Sequence, residues 1–394
     1  MNIDWKFVTY IFLQCIFVYY IVLHGSYLAF IFIGARHQKR YHQGIQFGEF
    51  KRISESTFSI PATVVIPAYN EEKLIVTTAL NVLQLNYPEF EVIIVNDGSK
   101  DKTLELLKAK FQLQEIDYVF KKNFETKPVK KVYRSNTYPN LIVVDKENGG
   151  RADANNTAVN YSKYPIICQI DADCVLESDA LLQMIRPFLI DPEVVAATSI
   201  IRPSNGITVD ANGRIIDRGL PKTILGMFQA VEYLRAFQWS RSGLAELGSI
   251  LCMSGAYTVV RKDVFIKVGG ADTTAIVDDF ELTVSVQRYI QEHKDAAKMR
   301  IAYVPDPGCY TEVPEDLKSF ASQRNFWQRT IIESLVKNRD MALNPKYGVV
   351  GMFAIPYYFL FEGLAPLIEI SALVLAPFAY FMGLASLQEI LTLL

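Results

Sequence analysis

From Pro61 onward, unbroken apolar runs alternate with longer segments whose apolar positions recur every three or four residues. ATVVIPA precedes EEKLIVTTALNVLQL, and FEVIIVND precedes KDKTLELLKAKF. NLIVVDK precedes GRADANNTAVNYS, and YPIICQIDAD precedes SDALLQMIRPFL. This strand–helix alternation predicts an α/β domain built on a mostly parallel sheet with helices on both faces. Strands buried on both faces read as continuous Val/Ile runs, as these do. Two stretches break the rhythm. Lys121–Arg134 is basic and weakly patterned, which suggests a surface excursion. Arg202–Pro221 contains Asn212-Gly213, a hairpin signal.

Outside this domain the pattern changes. Trp5–Gly34 is apolar almost throughout, interrupted by Lys6, Gln14 and His24, and is long enough to span a bilayer with some tilt. It is too long for the apolar stretch of a signal peptide, so it reads as an anchor. Arg36, Lys39, Arg40, Lys51 and Arg52 follow it, which places the next segment on the cytoplasmic side. A second apolar region, Gly348–Leu394, is punctuated by Pro356, Gly363, Pro366 and Pro377. Within it Leu364–Leu384 could span, with Glu369 needing a partner or a polar recess, while Gly348–Phe361 could lie in the interface or re-enter. The closing LQEILTLL has no polar tail, which suggests further membrane helices or a partner packed there. Between Leu317 and Asp340, Leu317, Phe320, Trp327, Ile331 and Leu335 recur at helical spacing among Lys318, Arg324, Arg329, Lys337 and Arg339. That pattern suits an amphipathic helix on an anionic membrane surface, and equally a core-facing helix. The expected organisation is an anchor over 1–34, a basic linker over 35–60, a catalytic domain over 61–316, an interface helix over 317–346 and a membrane region over 347–394.

Composition narrows the function classes. The 394 residues are 50% hydrophobic but 21% charged, the mixture of a soluble domain joined to membrane segments. A net charge of −2 supplies no basic field for nucleic acid. Cys15, Cys168, Cys174, Cys252 and Cys309 are scattered without a CxxC pair, which argues against a disulfide framework or a zinc site and for reduced thiols.

In open α/β sheets ligands bind beyond the carboxyl ends of the strands. PAYNEE, NDGSKD, ENGGRAD and DADC each follow a strand and precede a helix, so they should converge on one rim. Tyr69, Glu71 and Asp97 supply an aromatic ring and acceptors suited to a nucleobase and ribose. Gly98 allows close backbone approach. No GxGxxG or GxxxxGK[ST] occurs in these turns, which disfavours a dinucleotide dehydrogenase or a P-loop enzyme. Arg151 at a helix start suits an anionic diphosphate. Asp171 and Asp173, two apart at an extended end, share a face and offer hard oxygen ligands for Mg²⁺ or Mn²⁺. Asp278-Asp279, before an apparent helix, serves either as capping or as a source of a general base.

Taken in order, VVIPAYNEE, VIIVNDGSKD, NGGRADANN, DADC, SGAY, VDD and QRNFW resemble the membrane-embedded, processive family-2 glycosyltransferases that make cellulose, hyaluronan, chitin and poly-N-acetylglucosamine. The resemblance runs from about Thr63 into the C-terminal apolar region. It implies a GT-A, Rossmann-like cytoplasmic domain with transmembrane and interfacial helices at both ends, in the plasma (inner) membrane. It implies a nucleotide-diphosphate sugar donor, most often a UDP-sugar, and a polysaccharide or lipid-linked acceptor. A homo-oligomer or an accessory export subunit is a further partner. Ala68, Tyr69, Glu71 and Asp97 are assigned to the nucleotide, Arg151 to the diphosphate in place of the usual lysine, and Asp171 to the nucleotide-sugar beside the metal ligand Asp173. Ser254, Gly255, Asp278, Gln323 and Trp327 fall on the acceptor side. Asp279, the last aspartate of VDD, is assigned as the base of an inverting transfer. One departure is Phe326, which stands where the family's QxxRW motif has arginine, while Arg324 and Arg329 are expected to point elsewhere on the helix. This departure keeps a second reading open: a catalytically weak or inactive sugar-nucleotide-binding subunit of an export complex.

Overall fold

A computed structural model describes residues 5–47, 59–384 and 386–388. Lys51 and Arg52 of the basic cluster, and most of the closing LQEILTLL, lie outside the described residues. The first element is α1, Trp5–Phe47. It continues past Gly34 without a break, so residues 35–47 of the expected linker form the C-terminal part of the same helix. The domain then runs β1 (Ala62–Ala68), α2 (Ile75–Leu83), β2 (Phe90–Asp97), α3 (Thr103–Phe111), β3 (Leu113–Glu115), β4 (Val129–Ser135), β5 (Leu141–Lys146) and α4 (Arg151–Tyr161). There follow β6 (Ile166–Ile170), β7 (Val175–Leu176), α5 (Ala180–Ile190), β8 (Val194–Pro203) and the hairpin β9 (Ile207–Val209) with β10 (Ile215–Arg218).

A long helix begins as α6 (Ile224–Tyr233), widens into a π-helix over Leu234–Arg241 and ends as α7 (Ser242–Glu246). The domain closes with β11 (Tyr257–Arg261), α8 (Lys262–Lys267), α9 (Asp278–Glu292) and β12 (Arg300–Thr311). Next comes α10 (Leu317–Lys337). The C-terminal region is helical from Val350 to Gly363, with α11 (Ile355–Tyr358) between two π-helical turns, and again as α12 (Ala365–Phe381).

The strand runs legible in the sequence form the centre of a 10-stranded sheet of order β3-β4-β5-β2-β1-β6-β11-β8-β12-β7. The pairs β1–β2, β2–β5, β1–β6 and β8–β12 are parallel. The pairs β3–β4, β4–β5, β6–β11, β8–β11 and β7–β12 are antiparallel. The sheet is therefore mixed rather than mostly parallel. Regular crossover helices persist only as far as α5, and β11 then enters reversed between β6 and β8. The basic stretch expected as a surface excursion supplies β4, whose Val132 and Tyr133 are buried while the flanking lysines face out. The hairpin at Asn212-Gly213 forms as expected. Gly213 has φ +82°, and a Cβ there would lie 2.7 Å from the Thr77 carbonyl oxygen, so the turn rests directly on α2.

Close contacts tie α1 to the domain. A Cβ on Gly243 would meet the Phe30 backbone at 2.9 Å, and the Ser242 hydroxyl donates to the Gly34 carbonyl at 3.4 Å. His37 contacts Glu246 Oε2 at 3.0 Å and the Tyr303 carbonyl at 3.1 Å, and Arg40 ion-pairs with Glu246. Farther out, Tyr19 Oη donates to the Leu360 carbonyl, and the Phe30 ring packs edge-on against Tyr357 at 5.4 Å. Tyr10–Gln43 and Val350–Phe381 are long and apolar enough to cross a membrane, and only 17% of each apolar window is buried. Exposure on that scale is unlike the core helix of a soluble domain. Glu369 faces a recess shared with Tyr20 and His24.

Candidate functional site

The loops after β1 and β2 are stitched together by side chains. The Asn70 N–H donates to Ser99 Oγ at 3.0 Å, and the Lys100 N–H returns a bond to Asn70 Oδ1 at 2.8 Å. The Glu71 N–H donates to Thr103 Oγ1 at 2.8 Å. This leaves the Tyr69 ring exposed on the rim, with Ala68 buried behind it and Glu71 half-buried beside it.

Asp97 lies deeper than a ligand-facing acid would. It is 3% exposed, and both carboxylate oxygens are engaged by protein donors. Lys146 Nζ (2.6 Å) and the Gly149 N–H (3.0 Å) donate to Oδ1, and the Gly150 N–H (2.8 Å) and Asn148 Nδ2 (3.2 Å) donate to Oδ2. Lys146, fully buried at the end of β5, also reaches Asp153 Oδ1 at 2.6 Å. This lysine between two aspartates fixes the turn that launches α4. A Cβ on Gly98, whose φ is +69°, would sit 2.7 Å from the Asn148 nitrogen. The close approach that Gly98 permits is therefore to this turn.

The turn delivers Arg151 to the middle of the cleft. Its Nε is 3.0 Å from Asp171 Oδ1, its Nη2 is 2.8 Å from the Gly255 carbonyl, and its Nη1 ion-pairs with Asp278. Asp278 was expected on the acceptor side, but it is 4% exposed and sits behind Arg151, with its second oxygen taken by Asn155 Nδ2 at 2.7 Å. Asp279 stands in front. Its Oδ2 accepts from the Gly255 N–H at 2.7 Å and its Oδ1 from the Phe280 N–H at 2.6 Å. Burial pushes the Asp279 carboxyl up to about 6, against the opposing pull of Arg151. Ser254 uses its backbone to hold the same loop, through Thr198 Oγ1 and Thr258 Oγ1.

Asp171 and Asp173 sit in a turn rather than on an extended end, since the Cys174 N–H donates to the Asp171 carbonyl. The turn still keeps one ligand atom from each, with Cys174 Sγ, within 4.8 Å of one another. Burial and then Asp171 push Asp173 up to about 6. Burial and then Asp173 and Asp171 push Glu71 up to about 7, with Glu312 adding to both effects. Acids crowded to this degree around a single arginine favour a bound cation, and their oxygens suit a hard divalent ion. Cys174, buried and soft, suits it less well.

On α10, Gln323 and Trp327 lie one turn apart as expected, and Phe326 is 47% exposed. Arg324 points elsewhere than Phe326, yet it meets the tryptophan of the same motif. Its guanidinium carbon lies 4.6 Å from the Trp327 ring centre, and it is doubly bonded to Glu232 at 2.5 and 2.6 Å. Lys146, Asp153, Asn155 and Glu312 were not singled out by the sequence, although Asp153 and Asn155 lie inside NGGRADANN.

Comparison with known proteins identifies the family and the fold. Residues 63–269 match the family described as glycosyl transferase family 2. The poly-beta-1,6-N-acetyl-D-glucosamine synthase of Staphylococcus aureus (strain COL) is 30% identical over 277 residues, covering 70% of this chain and 56% of that protein. The enzyme of the same name from Staphylococcus epidermidis is 30% identical over 275 residues, covering 70% and 55%. The chain thus spans about half the length of these relatives. A mannosyltransferase from Pyrobaculum calidifontis, solved with GDP-Man and Mn²⁺, superposes with a TM-score of 0.60 at 19% identity, covering 92% of this chain and 89% of that one. The fold is GT-A, and the chain is a glycosyltransferase that belongs to glycosyl transferase family 2.

Proposed function

We propose that the protein is an inverting membrane glycosyltransferase that moves a sugar from a UDP-sugar to a hydroxyl of a growing polysaccharide or lipid-linked acceptor. N-acetylglucosamine is the first donor sugar to test, because the relatives that share 30% identity are named for its polymer. The observation that carries the reading is Asp279. Its carboxylate is fixed by two backbone N–H groups, one of them from Gly255, whose carbonyl accepts from Arg151, and Arg151 in turn bonds Asp171 of the acid pair Asp171 and Asp173.

Asp173 and Asp171 would hold a divalent ion, Mg²⁺ or Mn²⁺, which supplies positive charge against the leaving diphosphate. Arg151, steadied by Asp171, Asp278 and the Gly255 carbonyl, offers its charge to the same diphosphate. Tyr69 offers a ring face to the uracil. Asp279 accepts the proton of the acceptor hydroxyl as its oxygen bonds to the anomeric carbon, and the bond to UDP breaks on the opposite side. No enzyme nucleophile is needed. Trp327 and Gln323 face the acceptor, with Arg324 over the indole in place of the cation lost at Phe326. This supports an active enzyme over a silent binding subunit.

Two apolar helices, mostly unburied, support α1 and the Val350–Phe381 region as membrane spans, with the catalytic domain on the cytoplasmic side where Arg36, Lys39 and Arg40 lie. The exposed Phe326, Ile332 and Val336 of α10 would rest at the interface. The full chain in lipid nanodiscs, given labelled UDP-N-acetylglucosamine, UDP-glucose or UDP-glucuronic acid, should release UDP and build product from one of them. Asp279→Asn should not. Equal transfer by that variant would remove the reading.

A further inference from the structure

The π-helical segment Leu234–Arg241 ends in an arginine that forms no ion pair among the described residues, with the Asp279 and Glu362 carboxylates acting on its charge only from farther off. Arg241 Nη2 reaches only Cys252 Sγ, at 3.4 Å, and its guanidinium carbon lies 4.0 Å from the centre of the Phe237 ring. Its Nη1 is buried and makes no hydrogen bond, and no carboxylate lies within ion-pair distance among the described residues. Arginine stays charged in proteins and presents its donors as a rigid fork. A buried fork with an empty prong costs stability unless something else occupies it. An unpaired buried polar group calls for an explanation, and π-helical turns recur at functional sites.

The position relative to Asp279 gives the vacant donors a use. Cys252 begins the loop that ends at Gly255, whose N–H holds Asp279. The Met253 N–H donates to Thr283 Oγ1 at 2.9 Å, and Thr283 Oγ1 donates to the Asp279 carbonyl at 2.7 Å. Loop and base helix are therefore one rigid piece, and Arg241 touches it through Cys252, away from Arg151 and the acids of Asp171 and Asp173. Two more buried orphans, Gln323 Oε1 and Arg324 Nε, lie on α10, which Arg324 pairs to the Arg241 helix through Glu232. A charged donor fork suits a ligand rich in hydroxyl and carbonyl oxygens. A sugar is such a ligand.

We propose that Arg241 is an acceptor-binding residue whose free guanidinium N–H groups hold a hydroxyl or carbonyl oxygen of the acceptor sugar beside Asp279. The proposal rests on the transferase reading above and adds to it a group that no motif contains. A purely structural alternative is that Arg241 only braces the Phe237 ring.

The test measures binding of β-1,6-linked N-acetylglucosamine oligosaccharides to the UDP-loaded full chain, alongside UDP affinity and UDP release without acceptor. Arg241→Met should weaken oligosaccharide binding about tenfold, the worth of one charge-assisted hydrogen bond, and leave UDP affinity within about twofold. Arg241→Lys, which keeps charge and fold, should fall between. Phe237→Leu should lower thermal stability and leave oligosaccharide affinity alone. Unchanged oligosaccharide binding in the Met and Lys variants overturns the proposal, as does an equal loss of UDP affinity. If the Met variant does not fold, wild-type binding by the Lys variant overturns it. A wild-type chain that releases no UDP, yet binds oligosaccharide in an Arg241-dependent way, removes the transferase reading and leaves this one standing.

Discussion

Asp279 Oδ2 accepts a hydrogen bond from the Gly255 N–H at 2.7 Å, and the carbonyl of the same glycine accepts from Arg151 at 2.8 Å. One peptide unit on each side of Gly255 thus spaces Asp279, the proposed base, from the cation. A Cβ at this position would lie 2.7 Å from Arg151 Nη2 and 2.8 Å from Asp279 Oδ2. Gly255→Ala should therefore separate the two groups and cut transfer about a hundredfold, since an ångström of misplacement at a reacting group costs that much. UDP binding should survive. Initial rates and UDP titration on the same preparation check both.

The raised Asp279 carboxyl sets the pH response. A base works when deprotonated, so the rate should fall as pH drops through about 6 and level off above it. The sign for stability is opposite. The folded protein holds this proton more tightly than the unfolded chain, so ionising Asp279 as pH rises costs stability. Asp279→Asn should thus lose transfer by roughly a hundredfold or more and melt at a higher temperature at neutral pH. A pH–rate profile and thermal melts of both proteins give the comparison.

Arg151 neutralises Asp278 from the cleft side while Asn155 holds it from behind. Arg151→Met leaves a buried carboxylate without its cation and should destabilise by about 3 kcal/mol. Arg151→Met with Asp278→Asn should recover most of that stability and none of the activity. Recovery of transfer in the double variant would show that Arg151 matters only as a counter-charge.

Removing divalent cations with a chelator should abolish UDP release, and Mn²⁺ or Mg²⁺ should restore it. Asp173→Asn should not be restored, because Asp171 alone offers too few oxygens beside Glu71. The readout is UDP release across a metal titration.

Phe326 is exposed, while Arg324 sits over Trp327 and is paired with Glu232. Phe326→Arg should therefore change the rate by no more than about twofold, as a surface substitution does. Arg324→Met removes a cation–π contact worth about 1–2 kcal/mol and strands Glu232, and should lower the acceptor-dependent rate. Comparing the acceptor KM of the two variants decides which residue stands in for the family's arginine.

Much of this arrangement could be read from residue order. The runs that became β1, β2, β5 and β6 declared themselves by uninterrupted Val and Ile, and their terminal motifs met on one rim as the parallel pairing requires. Strand direction was not legible. The TVVR of β11 has the same apolar character whether it runs with β6 or against it, and only the path of the intervening chain reverses it. Lys146 hid at a strand end, where a charged residue normally marks emergence into solvent. Asp97 from β2 and Asp153 in the first turn of α4 pair with it there instead. The contact of Arg324 with Trp327 was not legible, because helical spacing fixes where a side chain starts, while a long guanidinium arm can reach a ring three positions on.

The unbroken course of α1 from the apolar segment into the domain has a mechanical result. Forty-three residues of helix extend about 65 Å, roughly twice the hydrocarbon thickness, so the surplus acts as a stiff shaft. His37 and Arg40 key that shaft to Glu246, at the end of the helix that carries Arg241. Each residue inserted between Gly34 and His37 would turn the domain by about 100° and advance it about 1.5 Å relative to the anchor. If α1 spans the membrane as proposed, the angle at which the domain meets the bilayer is set by the length of this one helix.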